Sequence, residues 1–280
     1  MGLEDEDILI LINWFANQLS INIDMEKIKE LREKTGAGMV ECKKALEEAG
    51  GDIEKAVEIL RKKGSAKAAK KADRITNEGM VVAKNSSDNK KVSIVKILCE
   101  TDFVARNADF QAFVTEVAEK GLSQSAEEYF NSKKDEIILK VGENLVFGGA
   151  VVLSGEFISS YIHSNNKLAT AIVFNKTVDA SLANDIAMHT AAMSPSYLAP
   201  SDVPETEIEK EKEIYREQLK QEGKPTEIVE KILLGKVNKY YEDVCLLKQY
   251  FIKDDKKTVE QFLKEADGTI KIEEFSRINL

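Results

Sequence analysis

The sequence is short of the residues from which most active sites and metal centres are made. Its 280 residues contain two histidines, His163 and His189, and neither has a second histidine or a cysteine near it at metal-ligand spacing. A structural zinc site needs four such ligands converging, so no metal is expected. The three cysteines, Cys42, Cys99 and Cys245, stand far apart; an odd, scattered set is no disulfide framework and suits a reducing, intracellular setting. Gly-x-Ser-x-Gly is absent, as is the Gly-x4-Gly-Lys-Ser/Thr phosphate loop. Gly36-Ala37-Gly38 begins like a dinucleotide fingerprint, but Glu41 stands in place of the third glycine and no strand precedes it. A glycine turn between helices accounts for it better. No active site and no cofactor are expected.

Hydrophobic runs long enough for a membrane are missing too. Ile8-Leu9-Ile10-Leu11-Ile12 falls far below the roughly 20 residues a spanning helix needs. The first 24 residues carry no Lys or Arg, and Glu4-Asp5-Glu6-Asp7 is acidic where a secretory or mitochondrial leader is basic. The expectation is a cytoplasmic protein with no membrane partner. Four prolines and fifteen glycines exclude a collagen-like or low-complexity chain.

The chain does have apolar residues (43%) and charge (32%), enough for real cores and a charged surface, and its length suits about two domains. The formal charge is -9, which argues against nucleic acid as the main partner. One stretch runs the other way: Arg61, Lys62, Lys63, Lys67, Lys70, Lys71 and Arg74 against Asp73 give +6, leaving -15 for the remainder. A solvated basic helix or linker is the simpler reading.

Periodicity divides the chain. Met25, Ile28 and Leu31 recur at helical spacing until Thr35-Gly36-Ala37-Gly38; Met39, Cys42, Ala45, Leu46 and Ala49 form a second apolar face ended by Gly50-Gly51. Asp52 can cap a third helix carrying Ile53, Ala56, Val57 and Leu60. This three-helix bundle over 25–64 resembles the ubiquitin-associated fold. Residues 65–75 read as an exposed basic helical linker. Then the period changes: Met80–Lys84 and Val92–Cys99 are β-branched runs around a Ser86-Ser87-Asp88-Asn89 turn, predicting a hairpin whose second strand is covered on both faces. Asn107 should cap a helix with Phe110, Phe113, Val114, Val117 and Ala118 inward. Phe103 sits before that cap, at a tip beside a carboxylate; taken alone, an aromatic there reads as core rather than contact.

Further on, a helix near 126–141, strands at 145–153, 155–162 and 168–174, and a helix over 180–193 stopped by Pro195 roughly repeat the first set, suggesting two related α+β halves. Residues 204–242 make two charged helices, one lined by Ile208, Ile214, Tyr215 and Leu219, the other by Ile228, Val229, Ile232, Val237, Tyr240 and Tyr241. Gly223-Lys224-Pro225 breaks between them. Arms of this length reach about 25–29 Å, so an antiparallel hairpin is expected. A strand over Val244–Phe251, a short helix at Val259–Leu263 and a strand over Ile270–Phe275 follow, making the hairpin an insertion. The fold class is α+β: the N-terminal bundle (25–64) after an extension (1–24), the linker (65–75), a two-part core with antiparallel sheets (76–162; 163–203 and 243–280) and the inserted coiled-coil hairpin (204–242).

Several strings occur in one order: Leu31-Arg32-Glu33-Lys34-Thr35-Gly36-Ala37-Gly38-Met39, Cys42-Lys43-Lys44-Ala45-Leu46, Thr101-Asp102-Phe103-Val104-Ala105, Val141-Gly142-Glu143-Asn144, Ile186-Ala187-Met188-His189 and Gly223-Lys224-Pro225. Together they strongly resemble the elongation factor Ts family of guanine-nucleotide exchange factors, from about Met25 onward. The resemblance implies binding to elongation factor Tu and promotion of GDP release. It makes the Thr101-Asp102-Phe103-Val104 turn the intruding element: the aromatic wedges between helices of the GTPase domain, and the aspartate disturbs the surroundings of its magnesium. Nucleotide is held there by backbone N–H groups and the metal, so deforming that cradle loosens GDP without competing for its base. By the same resemblance Arg32 and Met39 dock the N-terminal bundle, while Val141, Gly142 and His163 line the rest of the interface; His163 reads equally well as a partly buried strand residue, and His189 as core.

The chain departs from its relatives in places. Val40 replaces a frequent methionine, and Val146-Phe147-Gly148-Gly149 stands where relatives usually carry an arginine pair. The sequence stops at Leu280, without the C-terminal helical module of some relatives. Residues 1–24 match nothing in the family, so either Met25 is the native start or the segment is a disordered or packed extension. The rival readings are a peptide-binding scaffold resting on residues 25–64 and an RNA-binding ribosome accessory resting on the basic stretch. Stoichiometry stays open between a 1:1 complex and a 2:2 complex or dimer.

Overall fold

The computed structural model describes residues 25–221 and 226–280. The expected extension (1–24) and the Gly223-Lys224-Pro225 break lie outside the described residues. Helices and small antiparallel sheets make an α+β protein, in two compact units. Among the described residues, the first unit takes 25–78, Leu98–Phe113 and Glu128–Val146; the second takes Gly79–Ile97, Val114–Glu127, 147–221 and 226–280.

In the first unit α1 (Met25–Thr35), α2 (Met39–Glu48) and α3 (Ile53–Lys71) pack around Ile28, Leu31, Cys42, Ala45, Leu46, Ala56 and Leu60, all buried. The Asp52 side chain accepts the Lys55 N–H at 3.0 Å and so caps α3 as expected. α3 then runs unbroken through Gly64 and into the basic stretch as far as Lys71. Glycine in a helix interior costs stability, but here it permits a close approach. A Cβ at Gly64 would lie 3.2 Å from the carbonyl oxygen of Asp135 in α6 (Ala126–Val141).

The second unit holds most of the sheet structure. β1 (Glu78–Asn85), β2 (Lys91–Cys99) and β3 (Val146–Ser154) form one sheet in the order β1-β2-β3; β4 (Phe157–Ile162), β5 (Leu168–Phe174) and β8 (Ile272–Asn279) form another in the order β4-β5-β8. β5 pairs antiparallel with both neighbours, Ile172 opposite Ser159 on one side and Phe275 on the other. Val81, Ala83, Val92, Ile94, Leu153, Ile158, Ala169, Ala171 and Val173 pack together in one core. α7 (Ala180–Met193) packs on β4 and β5, and a second core joins Ile172, Phe174, Ile186, Ala187, Leu246, Phe251, Val259 and Leu263.

The repeat of strand, strand, strand and helix expected from the sequence is not how the strands pair. β3 belongs to the first sheet beside β2, and β8, far off in sequence, completes the second. Hydropathy reports that a strand is covered, not which strand lies beside it. A second expectation, a strand over Val244–Phe251, is also corrected. α9 (Thr226–Val244) continues through Val244, Cys245 makes an isolated bridge to Tyr197, and β6 is only Tyr250–Phe251. The apolar run is buried at a helix end, where Cys245 and Leu246 are fully enclosed, and a short buried run does not reveal its own period. β6 pairs with β7 (Asp254–Thr258), whose Asp-Asp-Lys-Lys-Thr composition carries no strand signal.

α8 (Glu205–Gln221) packs on α9. The Glu207 carboxylate accepts from the hydroxyls of Tyr197 (2.7 Å) and Tyr240, and Arg216 pairs with Glu230 at 3.6 Å. Contacts climb one helix as they descend the other, so the two run antiparallel.

Candidate functional site

β2 ends at Cys99, and the chain turns at once. Thr101 adopts an extended backbone, its hydroxyl accepts the Val104 N–H at 3.4 Å, and a single helical turn, α4 (Asp102–Ala105), follows. Asn107 then caps α5 (Ala108–Gly121), its side-chain oxygen accepting from Asp109 (2.9 Å) and Phe110 (3.3 Å). Within α4, Val104 turns inward and is buried, whereas Phe103 is 82% exposed. The sequence pattern taken alone put Phe103 in the core; the structure puts it in solvent. The reason is geometric: one helical turn between a cap and the next helix can bury one face only, and Val104 occupies it. Asp102 pairs with Arg106 at 3.0 Å on the same turn.

The turn is held from outside by α6 and the residues after it. Gly142, with φ +79, ends α6 by donating to the Ile138 carbonyl at 2.9 Å, a backbone conformation that favours glycine. That bend brings Glu143 under the turn. Its carboxylate accepts the N–H groups of Glu100 and Thr101, both at 3.0 Å, and the Thr101 hydroxyl at 2.5 Å. The arrangement is reciprocal, because the Glu100 carboxylate accepts the Asn144 N–H at 2.7 Å. Buried Asn144 donates through its side chain to the carbonyls of Ala72 (3.3 Å) and Arg74 (3.1 Å), and Arg74 lies 3.4 Å from the Glu100 carboxylate. Lys71 donates to the Gly142 carbonyl. The Cys99 thiol donates to the Thr101 carbonyl at 3.2 Å; burial and the nearby Glu143 charge push its pKa up to about 12.

The expected site residues therefore fall into three places. Thr101, Asp102, Phe103 and Val104 are brought together with Val141 and Gly142, the link being Glu143. Arg32 on α1 and Met39 at the start of α2 are both exposed on the helical bundle. His163 belongs to the second unit, exposed just beyond β4, where the Tyr161 hydroxyl lies 3.1 Å from its Nδ1. His189 is fully buried. Sequence reasoning missed Glu100, Glu143 and Asn144 as parts of the site. The signal was available: two of the ordered strings each hold or adjoin a glutamate with no charge partner in its own segment.

The class so defined is an α+β protein that carries an exposed aromatic on a short, externally braced turn. Comparison with known proteins gives the family. Residues 100–280 match the model of the family described as Elongation factor TS. The chain is 45% identical over 285 residues to the elongation factor Ts of a Nitratiruptor species, covering 92% of this chain and 93% of that one. It is 44% identical to that of Clostridium botulinum (strain Alaska E43 / Type E3), covering 91% and 92%, and 41% identical to that of Aquifex aeolicus (strain VF5), covering 92% and 98%. The chain belongs to the elongation factor Ts family, and its role is in the elongation step of protein biosynthesis. No helix among the described residues is long and apolar enough to cross a membrane.

Proposed function

We propose that this protein binds elongation factor Tu carrying GDP and speeds GDP release, so that GTP can replace it. The observation that carries the reading is Phe103, 82% exposed on a turn braced by Glu143, within a chain of this family. Exposure alone does not single Phe103 out, since Ile75 and Leu234 are exposed too; an aromatic held outward on a braced turn is suited to filling a pocket in a partner. The turn inserts near the magnesium and phosphate site of the GTPase: Phe103 wedges, Asp102 disturbs the metal's surroundings, and Thr101 and Val104 fix the turn from either end. A factor that prefers the nucleotide-free state loosens nucleotide by the same coupling with which nucleotide loosens the factor. About 5.5 kcal/mol of that coupling amounts to a 10⁴-fold shift. No covalent bond is made or broken, so the protein is not an enzyme in the chemical sense.

Arg32 and Met39 dock the N-terminal bundle, the ubiquitin-associated-like domain, on the GTPase domain; Val141, Gly142 and His163 extend the interface. The antiparallel pair α8 and α9 is the coiled-coil hairpin inserted in the C-terminal part of the core, and the cytoplasm is the place of action. The RNA-binding alternative is weakened by the partners of the basic stretch. Lys63 pairs with Glu48, Lys67 with Glu41 and Arg74 with Glu100, while Lys71 donates to a backbone carbonyl. Charges answered within the fold contribute less to a phosphate footprint.

The test is release of a fluorescent GDP analogue from the cognate elongation factor Tu, with wild type, Phe103→Ala and Asp102→Ala. Strong acceleration by wild type, lost mostly in Phe103→Ala, is expected. Folded wild type that accelerates nothing overturns the reading and moves the peptide-binding scaffold to first place.

A further inference from the structure

A wedge works only if it is stiff. An aromatic on a freely moving loop has to be ordered when it docks, and that ordering subtracts from the interaction. The stiffness of this turn comes from a residue about forty positions further along the chain. Three donors converge on the Glu143 carboxylate: the N–H groups of Glu100 and Thr101 and the Thr101 hydroxyl. The same hydroxyl accepts the Val104 N–H, so the hydrogen bonds run without a break from Glu143 into the helical turn that carries Phe103. An ionised carboxylate only accepts, which suits three donors; an amide in its place would offer a donor of its own to one of them. The returning contact from Glu100 to the Asn144 N–H fixes Glu143 in its turn.

We propose that Glu143 is a positioning residue for nucleotide release, holding Phe103 at the angle from which it wedges, without itself needing to touch the partner. This rests on the reading of Thr101–Val104 as the intruding turn.

The experiment uses the full chain and cognate elongation factor Tu loaded with a fluorescent GDP analogue. Wild type is compared with Glu143→Ala, Glu143→Gln, Phe103→Ala and the Glu143→Ala/Phe103→Ala double variant. At saturating factor, GDP release is expected to be about tenfold slower with Glu143→Ala and about threefold slower with Glu143→Gln. The double variant should be no slower than Phe103→Ala alone, because Glu143 acts through Phe103. A residue contributing contacts of its own, or only general stability, would multiply the two losses, and that result overturns the proposal. So does a wild-type rate with Glu143→Ala while Phe103→Ala is impaired, and this leaves the exchange reading standing. No acceleration by wild type removes the exchange reading and the proposal with it. Should Glu143→Ala not fold, Thr101→Val decides: it keeps the side chain's size but deletes the bridging hydroxyl. A release rate about threefold lower supports the proposal, and wild-type rates with both Thr101→Val and Glu143→Gln overturn it.

Discussion

His189 and Gln249 meet where water does not reach, the imidazole Nε2 lying 3.1 Å from the Gln249 Oε1. The Ile252 N–H donates to the other ring nitrogen, Nδ1, at 3.2 Å. Nδ1 must therefore carry no proton, and Nε2 is the donor to Gln249. The ring is held neutral as one tautomer, which ties α7 to the residues on either side of β6.

The pH dependence follows. Burial pushes the His189 pKa below the ordinary histidine value, with the Gln249 hydrogen bond acting weakly the other way. The unfolded chain takes up a proton near the usual value of about 6.5, the folded chain only at lower pH. As pH falls below about 6.5 the unfolded state binds more protons, so this histidine's contribution to stability is present above that value and is lost below it. Nitrogen-detected NMR of the folded protein should show the neutral Nε2–H tautomer persisting to lower pH than in a free imidazole. A titration midpoint at or above 6.5 would contradict the burial argument.

Asn144 should matter for stability more than its place in a connecting segment suggests. Its side chain satisfies two carbonyls, those of Ala72 and Arg74, and it is itself buried. Asn144→Ala removes both donors and leaves acceptors without partners, which costs about 1–3 kcal/mol. Urea unfolding measures this. A change below half a kilocalorie would mean that water replaces the amide.

These residues also show where sequence reading ran out. Asp52 and Asn107 were legible as caps because capping is local, a side chain and an N–H two or three residues on. The stop of α7 followed from Pro195, and α6 lies where a helix near 126–141 was expected. The strand order did not follow, because β8 reaches β5 from about a hundred residues away. Likewise the strings around Thr101 and Glu143 were both visible as motifs, but the bond between them spans 42 positions. Nothing local marks such a partner. The tip itself misled for a related reason: aromatic character argues for burial, and only the length of α4 decides that Phe103 has no core to enter.

Two phenylalanines seven positions apart should therefore respond in opposite ways. Phe110 is fully buried, and Phe110→Ala is expected to cost about 3–5 kcal/mol. Phe103→Ala should leave stability within about 0.5 kcal/mol of wild type, as surface changes usually do, while nucleotide release suffers. Paired thermal melts and release assays separate the two. A large loss of stability in Phe103→Ala would mean that the side chain packs against the fold, and a defect in release could then not be assigned to a missing wedge.

Cys99 offers a way to watch the turn directly. All three thiols are buried, and burial pushes the pKa of Cys99 up to about 12 and that of Cys245 up to about 11. The thiolate is the reacting form, so at pH 8 very little Cys99 is ionised even before access is considered. A thiol reagent should accordingly label the native protein very slowly and take up three equivalents in denaturant. Cys99 is hydrogen-bonded to the Thr101 carbonyl, one residue before the segment that Glu143 holds. Loosening that segment exposes the thiol, and loss of the Glu143 charge removes part of what holds its pKa up, so Glu143→Ala should speed labelling at Cys99 by both routes while leaving Cys245, in the other unit, at its wild-type rate. Equal acceleration at both cysteines would report general unfolding, and no acceleration at Cys99 would mean that the turn keeps its shape without the carboxylate.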